Sequence, residues 1–388
     1  MRRSNRFVRT PSLLEQLYLD GACLGYNLTP RAYIKIDRAP KKSMIADALS
    51  RLAEHLPVLN LCYRKTVWNR TGLPLPLHWI ESDCLDVMQV SVPAVDWRTH
   101  TLSLSVIHLR QTDAWYLCFS MFHGIGDGYT LTHLIYAFFA AMDQRLSAQY
   151  DFSLTEHDFP QQTLKKSYRF PVGLTCEPTM VGRPEADFHL VRTEAAPYIP
   201  TATLCSCALP FLKDRRSAMV IPVNMRRYCA PGEGFRMGNL MAPMFLNTAG
   251  NSAAQIRNDI HANVNEANLP IFSRAAAQFY RAIPGVLRRF ALRCYAAAIR
   301  RRGKTPMAAM VSNVGKVHPD ALRCAAFHGE DCWYAFENIP LFAITLLTVS
   351  FGEHTNTCIS TQYSTISNQA VQSIANSIAS MDIYAPLA

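Results

Sequence analysis

Residues 101–143 constrain the fold more than any other stretch of this chain. TLSLSVIHL (101–109) alternates apolar and polar side chains with the two-residue period of a strand. Gln111, Thr112 and Asp113 then supply turn chemistry, and WYLCFSMF (115–122) reads as a second strand, so the pair predicts a hairpin. After the loop HGIGDG (123–128), YTLTHLIYAFFAAMD (129–143) is apolar nearly all round, which predicts a helix covered on every side.

The same order recurs near the other end. LFAITLLTVSF (341–351), a turn from Gly352 to Asn356 and TCISTQYS (357–364) predict a second hairpin. NQAVQSIANSIASM (368–381) then sets Val371, Ile374, Ile378 and Met381 on one helical face. A hairpin followed by a helix in each half predicts a pseudo-duplicated two-domain α/β (α+β) protein, which suits 388 residues. The polar stretch 144–172 reads as the linker, dividing the chain into 1–160 and 161–388. Upstream, SMIADALSRLAEHL (43–56) predicts an amphipathic helix behind a serine cap, with Ile45, Leu49, Leu52 and Leu56 on its apolar face.

Composition excludes several classes. At 49% hydrophobic and 18% charged the chain is far from a disordered one. No run approaches the roughly eighteen uncharged apolar residues of a membrane span. The basic start is interrupted by Glu15, against a signal peptide, with a transit peptide as the lesser reading. The sequons at Asn27 and Asn69 carry no weight without secretion. Twelve cysteines show no CxxC pair, Cys205 and Cys207 being nearest, so a zinc site is not expected and free thiols of a reducing compartment are. A cytoplasmic location follows. The net charge of +10 points to an anionic partner, but no helix-turn-helix, RRM or zinc-finger pattern accompanies it, so nucleic acid is not expected.

The loop at 123–128 admits three readings. A dinucleotide fingerprint needs a third glycine where Tyr129 stands, and a phosphate-cradling Walker loop needs a Gly-Lys-Ser/Thr ending; both fail. It can be a tight turn with His123 as a bystander and Asp127 as a helix cap. For His55, His108 and His133 such a bystander role is the expectation. His123 differs, because it sits just past a strand end, with Gly124 and Gly126 read as clearing space for a ligand. A pKa near 6.5 suits a proton acceptor there, with Asp127 either orienting the ring or bracing the loop.

With these residues in view, His123-Gly124-Ile125-Gly126-Asp127-Gly128 resembles the HxxxDG motif of the chloramphenicol acetyltransferase-like superfamily. HLPVL (55–59), PVNMRR (222–227) with Gly238-Asn239, and VSNVGK (311–316) resemble its other landmarks, in order across residues 40–380. The resemblance implies two topologically similar α/β domains with an active-site tunnel between them. It implies His123 as general base for transfer from an acyl thioester to a hydroxyl or amine, with Gly128 completing the motif. Asp127 is expected to turn away from substrate and pair with Arg226 or Arg227. Ser312 and Asn313 are either oxyanion donors or a plain turn at a strand end. No bound cofactor is expected; acyl-CoA, or an acyl carrier protein thioester, would be cosubstrate, and a small alcohol or amine the acceptor.

Two departures narrow the reading. Phe122 stands where condensation domains usually carry a second histidine, and the DFGWG phrase of plant acyltransferases is absent. They favour a stand-alone acyl-CoA-dependent O- or N-acyltransferase over a carrier-protein-dependent or condensation-like enzyme. A silent binding relative is the non-enzyme alternative, and intact His123, Asp127 and Gly128 argue against it.

One further stretch bears charge. AIPGVLRRFALRCYAAAIRRRGK (282–304) predicts a helix from Pro284 and Gly285 to Gly303, packing through Leu287, Ala291, Cys294 and Ala298. Arg288, Arg289, Arg293, Arg300, Arg301 and Arg302 are either solvated or an anion-docking face for CoA phosphates, an acidic carrier protein or an anionic membrane surface. No Asp or Glu lies between Glu266 and Asp320.

Overall fold

The computed structural model describes residues 8–152, 155 and 188–380, apart from 65, 196–197, 209–217, 230–234, 248–251, 266–268, 270–273, 303–306, 338, 340 and 363–367. Most of the linker expected at 144–172 lies outside the described residues.

The first half contains β1 (Val8–Arg9), α1 (Leu13–Cys23), β2 (Arg31–Ile36), α2 (Lys42–His55), β3 (Leu61–Arg64), β4 (Val67–Arg70), β5 (Leu77–Ser82), β6 (Leu102–Leu109), β7 (Ala114–Met121), α3 (Gly128–Met142) and β8 (Tyr150–Asp151). The second half starts with β9 (Phe188–Ala195), α4 (Thr201–Ala208), β10 (Ala218–Asn224), β11 (Phe235–Arg236), β12 (Met241–Asn247) and α5 (Ala253–Asn265). It continues with α6 (Arg274–Ala282), α7 (Gly285–Arg302), β13 (Met307–Val317), β14 (Gly329–Ala335), β15 (Phe342–Phe351), β16 (His354–Gln362) and α8 (Asn368–Ala379).

Both predicted hairpins form. β6 and β7 pair antiparallel from Leu102↔Met121 to Leu109↔Ala114, and Asp113 closes the turn at φ 48°, a left-handed conformation that a short polar side chain tolerates. The alternation in β6 marks faces and not exposure, since Ser103 and Ser105 are buried along with Leu102 and Leu104. β15 and β16 close more tightly than expected: Phe351 pairs with His354 across Gly352-Glu353, because Thr355 and Asn356 already belong to the ladder. The helices behind them follow the predicted periods, with Leu131, Leu134 and Phe138 of α3 and Val371, Ile374 and Ile378 of α8 fully buried. Met381 lies outside the described residues.

Helix α2 buries Ile45, Leu49 and Leu52 as its pattern predicts, but Ser43 does not cap it. Helical backbone begins as soon as the chain clears Pro40. Ser43 therefore falls inside the first turn, and the cap position goes to Lys41, which makes no side-chain cap bond.

Beside a small sheet of order β1-β4-β3, two large sheets carry most of these strands. One runs β14-β2-β7-β6-β5; the other runs β12-β10-β13-β15-β16-β9, with β13 parallel to both β10 and β15. Among the described residues, strand pairing crosses between the halves twice. β14 comes from beyond residue 161 yet pairs with β2 in the first sheet, and β8 of the first half pairs with β11 of the second. One large core surrounds the first sheet, including Trp333 and Tyr334 of β14, and a second lies between the other sheet and α4, α5 and α8.

Helix α7 forms where expected but is turned over. Leu287, Ala291 and Cys294 face outward, and Leu287 is 56% exposed. The inward side carries Ala296 and Arg288, because Asp20 of α1, buried to 1% exposure, requires a cationic partner.

Candidate functional site

The loop 123–128 is fixed from both ends. Phe122 N–H donates to Thr101 O at 2.9 Å, His123 N–H to Leu28 O at 2.9 Å, and Ile125 N–H to Phe122 O at 3.1 Å. Its glycines answer to close packing within the protein, which corrects the reading that two of them clear room for a ligand. A Cβ on Gly124 would stand 2.2 Å from the Phe122 ring, and one on Gly126 would stand 2.7 Å from Thr130 Cγ2 and 2.9 Å from Met121 Sδ. At Gly128 the neighbour is Val314 of β13, 3.1 Å from such a Cβ, so the last glycine of the motif lets the second half approach the start of α3.

Asp127 caps α3 by accepting from Thr130 N–H at 2.8 Å. Its carboxylate also receives the Leu240 N–H at 2.9 Å and both terminal nitrogens of Arg226, at 2.8 and 3.2 Å. Arg226 in turn donates to the Gly238 carbonyl at 2.8 Å and to Asn224 Oδ1 at 3.1 Å. Asn224 also accepts the Arg226 N–H, which fixes the one-turn 3-10 segment after β10 so that Arg226 points inward. Arg227, its neighbour, points elsewhere, with its guanidinium 5.7 Å from the Tyr228 ring. Of the two arginines offered by the sequence, Arg226 is therefore the partner. The Asp127 and Arg226 side chains retain 2% and 9% of their exposure, so the pair is buried and bidentate.

The Gly238-Asn239 phrase acquires a physical meaning here. Gly238 has φ 119°, where a side chain would be strained, and this twist brings three groups to the loop. The Gly238 carbonyl meets Arg226, the Leu240 N–H meets Asp127, and the Asn239 amide lies 2.7 Å from the His123 carbonyl oxygen and 3.1 Å from Nδ1. Asn239 is a second-half residue whose side chain reaches the ring, and a sequence phrase marked its place without revealing its role.

His123 is half-buried. Tyr18 of α1 stacks on its ring at 4.4 Å between centroids, with the hydroxyl 3.4 Å from Nε2, and Phe336 meets it edge-on at 5.5 Å. Desolvation holds the imidazole pKa below its ordinary value, partly offset by the bond to its own carbonyl, the Asp127 charge and the Gly126 backbone. Burial pushes the Tyr18 hydroxyl up to about 12, so it stays protonated. Two proton placements fit these contacts. Either Nδ1 accepts from Asn239 and Nε2–H points at Tyr18, or the Asn239 amide donates to the His123 carbonyl alone, Nδ1–H points at that same carbonyl and the Tyr18 hydroxyl donates to Nε2. Tyr18 lies 105 positions before His123, and no local pattern announces it.

The VSNVGK stretch meets the loop through Val314. Asn313 Oδ1 accepts from Gly315 N–H at 2.9 Å, at the irregularity where β13 shifts register against β15. This is the turn-like alternative raised for Asn313. Ser312 sits in β13 opposite Leu347 and is half-buried. A cavity of about 440 Å³ lined by Asp86, Leu190, Val191, Arg192 and Glu194 shares no residue with the loop.

No family model matches the sequence, and no curated protein matches it either. Solved structures do resemble its fold. The condensation domain of the monacolin K polyketide synthase MokA aligns with a TM-score of 0.59 at 10% identity, covering 96% of each chain. The epimerization domain of the third module of tyrocidine synthetase B gives 0.56 at 11% identity, also over 96% of each chain. Polyketide synthase associated protein 5 of Mycobacterium tuberculosis gives 0.56 at 13% identity, covering 95% of this chain and 96% of its own. Over nearly its whole length, the chain shares the fold of these three structures.

Proposed function

We propose that the protein is an acyltransferase that moves an acyl group from a thioester, acyl-CoA in the first instance, to a hydroxyl or amine of a small acceptor. The observation that carries this reading is the His123 environment: a desolvated, neutral imidazole between Tyr18, Asn239 and Phe336, on a loop braced from the second half by Arg226. With Nδ1–H directed at the residue's own carbonyl, the Nε2 lone pair faces the Tyr18 hydroxyl at 3.4 Å, and an acceptor that takes the place of this long bond delivers its proton to Nε2. The acceptor oxygen or nitrogen attacks the thioester carbonyl carbon as its proton passes to Nε2. The tetrahedral oxyanion then collapses, the C–S bond breaks, and the imidazolium returns the proton to the departing thiolate. The products are an ester or amide and a free thiol. Ser312 and Asn313 are the candidate donors to the oxyanion; the bond from Gly315 engages the Asn313 amide oxygen, and the Nδ2–H groups are the donors an oxyanion would use.

Purified protein offered a panel of acyl-CoAs with candidate alcohols and amines should release thiol, and His123→Ala should lower the rate by about a hundred- to ten-thousand-fold with an unchanged melting curve. Wild-type turnover in His123→Ala would remove the base assignment. A second reading takes the acyl group from a carrier protein. Its support is the likeness in fold to a condensation domain and an epimerization domain of assembly-line enzymes. Thiol release from carrier-bound acyl groups, with none from any acyl-CoA, would establish it instead.

A further inference from the structure

Exposed large apolar side chains are not scattered over this protein. Among the described residues, five of the nine lie between positions 279 and 295: Phe279 at 71% exposure, Val286 at 70%, Leu287 at 56%, Phe290 at 65% and Tyr295 at 50%. On an ideal helix Leu287, Phe290, Ala291 and Cys294 fall within an arc of about 100°. All four are exposed, so they form a continuous apolar stripe along α7, facing away from the protein. Arg293 and Arg301 are exposed beside it.

The inward side of the same helix is anchored. Asp20 accepts from Arg288 Nε at 2.8 Å and from the Tyr280 hydroxyl at 2.9 Å, and Arg289 approaches it at 3.8 Å. Arg288 also donates to the Ile283 carbonyl at 2.8 Å, which ties the elbow between α6 and α7. Arg281 donates to the Pro11 carbonyl at 2.7 Å. The stripe is thus held outward by polar bonds on the opposite side, and a rotation that hid it would leave Asp20 buried without its cation.

We infer that the outer face of α6 and α7 docks on an anionic lipid surface. Three observations select that occupant. Neither helix carries an Asp or Glu, and none occurs from Glu266 to Asp320, so the face complements negative charge throughout. Apart from Cys294 and Tyr295, every polar side chain on α7 is an arginine. A protein partner is normally met with about one hydrogen bond per 100–200 Å² from varied donors and acceptors. Finally, apolar side chains with flanking guanidiniums match the depth profile of a bilayer interface, where hydrocarbon lies below the phosphates that arginine binds. A phosphorylated cofactor fits worse, because Arg288 and Arg289 are engaged with Asp20 and the exposed face beyond them is largely apolar. Among the described residues no helix is long and apolar enough to cross a membrane, so the contact is interfacial. This inference stands independently of the chemistry assigned to His123.

The full chain should co-float with phosphatidylcholine vesicles containing phosphatidylglycerol, and weakly or not at all with phosphatidylcholine alone. Leu287→Ser combined with Phe290→Ser should weaken binding by at least about tenfold, since each removes a large side chain from the buried set. Arg293→Glu should weaken binding to anionic vesicles and reduce its sensitivity to lipid charge. Leu85→Ser, an exposed apolar residue elsewhere (69%), should change nothing and serves as the control. Wild-type protein that stays with the aqueous fraction at low salt overturns the proposal. So does vesicle binding that survives both the apolar pair and Arg293→Glu. A concentration-dependent dimer that the Leu287→Ser/Phe290→Ser pair dissolves, without vesicle binding, would assign the stripe to a second copy of the chain and likewise overturn it.

Discussion

Arg226 and Asp127 lie 99 positions apart and meet side by side, NH1 2.8 Å from Oδ2 and NH2 3.2 Å from Oδ1. The loop bearing His123 is therefore shaped by a residue of the other half. Asp127→Asn should cost about 3–5 kcal/mol, since it leaves the guanidinium buried without its counter-charge. Arg226→Lys should also destabilise, because one ammonium cannot bridge both oxygens, while Arg227→Lys should be neutral. Thermal unfolding of the three variants is the check. An unchanged melting point with lost activity in Asp127→Asn would make Asp127 a participant in the chemistry.

The pH dependence of turnover should show the depressed His123 pKa. Only the neutral ring accepts a proton, so activity falls as pH drops through its pKa, and desolvation moves that point below 6.5. The acidic limb of kcat/KM should accordingly lie below pH 6.5. A limb at or above that value would show that the ring is solvated in the working enzyme.

Stability should have its own acid limb, set by His133. Desolvation and then the nearby Arg226 charge push its pKa down to about 4, partly offset by Asp127. The unfolded chain binds this proton near 6.5 and the folded protein only near 4, so the contribution is full above 6.5 and is lost as pH falls towards 4. His133→Phe, whose ring suits the Tyr129 and Phe235 rings at 4.3 and 4.2 Å, should narrow the gap in melting temperature between pH 7 and pH 4.5. An unchanged gap would place the acid sensitivity in other groups.

Gly128→Ala should lower stability by about 1–3 kcal/mol, because its Cβ would press on the stiff, β-branched Val314. Val314→Ala should restore much of the loss in the double variant. Additive costs in a double-mutant cycle would mean that the two residues are not in contact in solution.

What the sequence revealed and hid follows from the range of the interactions. Hairpin, loop and buried helix were legible at 101–143 because period and turn chemistry are local. The Asp127 partner was narrowed to two adjacent arginines, and the choice between them rests on a 3-10 turn that Asn224 sets. Tyr18 was illegible, since its contact with His123 spans 105 positions and leaves no local trace. The apolar stripe of α7 was found, but its direction was not. A helical period says that two faces differ, and which of them turns inward was decided by Asp20, far upstream.

The pairing of β14 with β2 sets a timetable for synthesis. As the chain leaves the ribosome, β2 has one long edge unsatisfied until residues 329–335 emerge, some three hundred residues later, and Cys332, Trp333 and Tyr334 are missing from the first core until then. An open strand edge beside unfilled apolar space is a template for wrong pairing. The amino-terminal half therefore completes its fold only after most of the carboxy-terminal half has been made, and a nascent chain stalled in between is the species most in need of a chaperone.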